Sequence, residues 1–83
     1  MSRIPRDISG KKLIQLLKKY DYKVTRQAAS HIRLVSLFQG VEHKITIPDH
    51  RSIKIGTLNG ILADIADYLE IAKEKIVEKL FHS

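Results

Sequence analysis

The chain has 83 residues, no cysteine and a formal net charge of +6, with 43% hydrophobic residues. That length supports a single core and so one domain over residues 1–83, and the lack of cysteine excludes a disulfide framework and thiolate zinc sites. No apolar run is long enough to span a membrane, and the arginines of Met1–Asp7 have no apolar segment behind them. A secretory leader is therefore not expected, and a reducing, cytoplasmic setting fits.

In chain order, Ser9 is placed to cap a first helix. Leu13, Ile14, Leu16, Leu17 and Tyr20 recur at helical spacing, Lys11, Lys12, Lys18 and Lys19 ring the wet side, and Asp21 closes the helix. Tyr22 to Gln27 alternates as a first strand, with Val24 inward and Lys23, Thr25 and Gln27 outward; alternation leaves the face of Arg26 open. Ser30 to Leu37 reads as a second strand, Phe38 to Gly40 as a tight turn, and Val41 to Ile47 as a third strand. In the third, Ile45 and Ile47 point inward and Glu42, Lys44 and Thr46 outward. Pro48 has no N–H for a ladder and should end it. Residues 48–56 form a loop with basic character, and Thr57 is a second N-cap candidate. Leu58, Ile61, Leu62, Ile65 and Leu69 trace a second helical stripe, repeated by Ile76, Val77, Leu80 and Phe81 after a break expected near Glu70.

This order predicts an α+β fold: a helix, a three-stranded antiparallel meander, a second helix and a short extra C-terminal helix. Both main helices have one apolar stripe, so both must cover the same sheet face. The opposite face is then open and carries Lys23, Thr25, Gln27, His31, Arg33, Glu42, Lys44 and Thr46. That surface is cationic, with a histidine inside it. The charge is placed to match: residues 1–54 hold 12 Lys/Arg against 4 Asp/Glu, whereas residues 55–83 hold 3 against 5. A polyanion or an acidic protein would bind the first two thirds. No aromatic side chain falls clearly on the open face, which argues against a sheet that reads RNA by stacking bases.

The segments ISGKKLIQLLKKYDYKVTRQAASHIRL and HKITIPDHRSIKIGTLNGIL resemble the HicA-type mRNA interferase toxins. The likeness runs from Ser9 to about Ile76. It rests on the S-G-K-x-L helix start, the Ser30-His31 pair, the I-P-x-H strand exit and the G-T-L-x-x-I-L helix start, in that order. It implies a fold similar to the double-stranded-RNA-binding domain, α-β-β-β-α with the helices on one side of the sheet. It also implies a toxin of a toxin–antitoxin pair that cleaves mRNA with neither metal nor other cofactor. Its partner would be a HicB-type antitoxin covering the His31 face. The family's essential histidine follows a Gly-Ser pair, a position held here by His31 after Ala29-Ser30. The alanine departs from that pattern and restricts the backbone.

Residue chemistry suits the implied reaction. An unperturbed imidazole titrates near ~6.5 and can take or give a proton at neutral pH. The Arg33 guanidinium, two residues on and roughly 6–7 Å away at the backbone, can fork onto a phosphate. Lys23, Arg26 and Lys44 are candidates for flanking phosphates, with Ser30 beside the histidine. Lys54 and Thr57 lie at a helix start that favours anions. His50 reads as a second proton-transfer group, an RNA contact or a solvated loop residue. His43 alternates with Ile45 and Ile47 and reads as packed, and His82 has no expected role. No histidine or carboxylate spacing suggests a metal. Two other readings stand beside the nuclease: a non-catalytic double-stranded-RNA-binding module, and an inactive toxin remnant that only engages its antitoxin.

Overall fold

The computed structural model describes residues 3–82. Their order is α1 (Gly10–Leu17), a 3-10 turn (Lys18–Tyr20), β1 (Lys23–Ala28), β2 (His31–Ser36), β3 (His43–Pro48), α2 (Ile55–Leu69) and α3 (Lys73–Phe81). The arrangement is α+β and like that of the double-stranded-RNA-binding domain, with α3 added at the end.

Ser9 caps α1 by accepting the Lys12 N–H on its hydroxyl at 3.0 Å, which satisfies one of the unpaired donors of the first turn. The helix tightens over Lys18–Tyr20 and stops where Asp21 turns left-handed at φ 64°. At its start, Gly10 permits a close crossing. A Cβ there would lie 2.1 Å from the Pro48 carbonyl oxygen, and the Gly10 N–H donates to the His50 carbonyl at 2.9 Å. The first turn of α1 is thereby pinned to the exit of β3.

The three strands form an antiparallel sheet in the order β1-β2-β3. β1 and β2 join through a two-residue loop, Ala29-Ser30, closed by the Ala28–His31 pair. Ala29 sits there at φ 53°. Hairpin loops of this length need positive φ, which matches the right-handed strand twist but favours glycine. Between Val24 and Arg26 the register slips, leaving Thr25 as a bulge. This slip corrects the alternation reading of β1. Upstream of the bulge Lys23 lies on the open face, as expected. Downstream the phase reverses, so Arg26 takes the open face and Gln27, opposite Ile32, lies on the helix side.

The core fills the other face. Leu13 and Leu17 of α1 meet Ile32, Leu34, Ile45 and Ile47 of the sheet, while Leu58, Leu62 and Ile65 of α2 close over them with Ile76 and Leu80 of α3. Val24, expected inward, is on the helix side but 51% exposed, because α1 does not reach over the edge strand. α2 begins at Ile55 after Lys54, which makes no side-chain cap. Thr57, expected as the cap, is instead in the first turn. Glu70 ends α2 in the left-handed region at φ 57°, and α3 follows from Lys73. The expected break therefore falls at Glu70. Among the described residues, no helix is long and apolar enough to cross a membrane.

Candidate active site on the open sheet face

Cross-strand register arranges the open face as three rows. At the hairpin end Ala28, His31 and Pro48 stand side by side; next come Arg26, Arg33 and Thr46; then Lys23, Val35 and Lys44. The first two rows enclose a depression of about 290 Å³ lined by Arg26, Ala28, His31, Arg33 and Thr46. Its histidine and both arginines are exposed. An imidazole and two guanidinium groups thus border one hollow.

Charge pairing separates the cations. Lys23 lies 3.7 Å from the Asp21 carboxylate and Lys44 lies 3.5 Å from that of Glu42. No described carboxylate sits within ion-pair distance of Arg26 or Arg33. Like charges facing each other across β1 and β2 repel, so an anion between these arginines gains from both.

The other sequence candidates spread around this hollow. The Ser30 carbonyl accepts the Asp49 N–H at 2.7 Å, which ties the loop before His31 to the exit of β3. His50 is exposed, and the bond from Gly10 fixes its backbone. Thr57 shares a second groove with Arg33, Lys44 and Thr46, between β3 and α2, so the first turn of α2 adjoins the arginine row. Lys54 is exposed at the start of that helix. Thr46 was seen in sequence as an outward residue but not as part of a site. Its signal is register, since it pairs directly with Arg33.

At the far end of the sheet, His43 is packed. The Tyr22 hydroxyl bonds its Nδ1 at 2.7 Å, Asp64 lies 3.4 Å from its Nε2, and its ring stacks on Tyr68 at 4.5 Å. Burial pushes the Tyr22 hydroxyl pKa up, with the neighbouring Tyr68 and Asp64 adding to the shift. Tyr22 therefore keeps its proton at neutral pH, and its hydroxyl and Nδ1 share one hydrogen bond while Nε2 faces Asp64. This cluster belongs to the core and not to the open face.

Residues 10–66 match the family described as HicA toxin of bacterial toxin–antitoxin. The chain belongs to the HicA toxin family. The matched span holds α1, the whole sheet and most of α2, and so contains every residue lining the hollow. Neither the curated proteins nor the solved structures give a match. Membership in the HicA family makes this chain the toxin member of a pair whose other member is an antitoxin.

Proposed function

We propose that this HicA-family toxin is an endoribonuclease that cleaves mRNA without a metal ion, with His31 as its proton-transfer residue. The observation that carries the reading is the shared hollow, where His31 stands one row from Arg26 and Arg33. Cleavage by the 2′-hydroxyl breaks the P–O5′ bond and forms a 2′,3′-cyclic phosphate. The hydroxyl proton goes to a base, and the leaving oxygen takes one from an acid. His31 supplies one of these transfers. Arg26 and Arg33 neutralise the charge that grows on the phosphorane oxygens. Lys23 and Lys44 in the third row, Ser30 at the loop, His50 past the exit of β3, and Lys54 and Thr57 at the α2 start hold the flanking backbone.

Ala29 supports an intact presenting loop, because it adopts the positive φ that the family's glycine would take. A HicB-type antitoxin covering the open face would silence the enzyme by filling the hollow. The test is RNA cleavage by purified protein in EDTA, with the parent compared to His31→Ala. His31 is exposed, so the variant should keep its thermal melt and lose cleavage. An alanine variant that cuts as fast as the parent rejects the assignment.

A further inference from the structure

On the helix side of the sheet, away from His31, a groove runs between α1 and the edge strand β1. Ile14, Val24 and Ile32 form its floor, and Lys11, Lys18 and Gln27 its rim. Its two connected hollows measure about 490 and 510 Å³, so they take side chains and not merely an ion. The helix supplies one wall by spacing. Lys11, Ile14, Gln15 and Lys18 follow i, i+3, i+4, i+7, a second stripe beside the core stripe of Leu13 and Leu17. The strand supplies the other wall with Val24, which turns toward the helices and remains 51% exposed. No described carboxylate pairs with Lys11, Lys12 or Lys18.

We propose that this groove docks a short, acidic, amphipathic helix of a partner protein. Its apolar side chains rest on Ile14 and Val24, and its carboxylates meet Lys11, Lys12 and Lys18. Charge complementarity selects an acidic occupant. The apolar floor selects protein over nucleic acid, because a phosphate backbone would use the lysines and gain nothing from isoleucine and valine. The stretch Lys11–Lys18 is roughly 10 Å long, the length of two helical turns. The Thr25 bulge disfavours an added strand along the β1 edge, so the occupant lies in the groove and does not extend the sheet. Val24 and Gln27 lie on the face opposite His31 and Arg33. Occupancy of this groove therefore leaves the arginine hollow open.

The test titrates the full chain, isotope-labelled for amide NMR, with a helical peptide of about 14 residues rich in Glu and carrying Leu at i, i+3, i+4 and i+7. Amide shifts should centre on Ile14, Lys18, Val24 and Gln27, with Arg33 and Thr46 unmoved. The Lys11→Glu/Lys18→Glu variant should bind about tenfold more weakly and Val24→Ser several-fold more weakly, with thermal melts unchanged. Three results overturn the proposal: a peptide with Ser in place of Leu that binds as tightly, shifts that map to the His31 face, or a polyuridine oligonucleotide that moves the same amides and displaces the peptide.

Discussion

Ala29 is the residue where local strain and the candidate chemistry meet. Its φ of 53° lies in a region that costs a residue with a Cβ about 1–2 kcal/mol. Glycine removes that cost but adds unfolded-state freedom worth about 0.4–1 kcal/mol. Ala29→Gly should therefore stabilise the protein by about 0.5–1 kcal/mol, a rise of a few degrees in Tm for a chain of this size. A calorimetric melt checks this, and a lower Tm would show that the loop is not strained at Ala29. On the open face, the arginines act through geometry as well as charge. Arg33→Lys keeps the charge but loses the planar fork. It should lower cleavage about tenfold or more with KM little changed, whereas the reverse exchange, Lys44→Arg, should leave the rate near that of the parent.

At the scale of elements, α1 crosses the exit of β3 with no room for a Cβ at Gly10. Gly10→Ala places a methyl against backbone, and the helix or the Pro48–His50 segment must move. A loss of about 1–3 kcal/mol is expected in urea denaturation. His31 pairs with Pro48 across the sheet, so cleavage should fall as well; unchanged stability would mean the crossing is loose. The same elements show what the sequence discloses. The helices were legible because their stripes are long and regular, and the stop at Glu70 followed from two apolar residues breaking the period. Strand alternation placed His31, Arg33 and Lys44 on one face correctly. It failed at Thr25, because period-two reading assumes one residue per step and a bulge adds one. Arg26 and Gln27 were therefore unresolved or reversed. Thr57 was mistaken for a cap because its hydroxyl suits that place, whereas burial of Ile53 and Leu58 starts α2 earlier. The hollow itself was not legible, since it depends on which residues pair across strands.

For the whole molecule, pH acts through the buried tyrosines. Burial raises the pKa of both Tyr20 and Tyr22 above the ordinary value of 10.0. The folded state thus holds these protons more tightly than the unfolded chain. Their contribution is fully present below pH 10 and is lost as pH climbs from there toward the folded-state values. Urea midpoints should stay level from neutrality to about pH 9 and drop beyond about pH 10. Tyr22→Phe should flatten that drop, while at neutral pH it removes the bond to His43 and costs about 1 kcal/mol. An equally steep alkaline loss in the variant would assign the effect elsewhere. The Thr25 bulge also bears on how such a chain can change over generations. Every other β1 residue already stands opposite a fixed partner on β2, so losing Thr25 alone would keep each neighbour on its present side. A residue lost at a paired position removes that pair, and one gained there reverses the side of everything upstream of it. β1 thus has one place where the gene can change length while arginines still face arginine and valine still faces the helices.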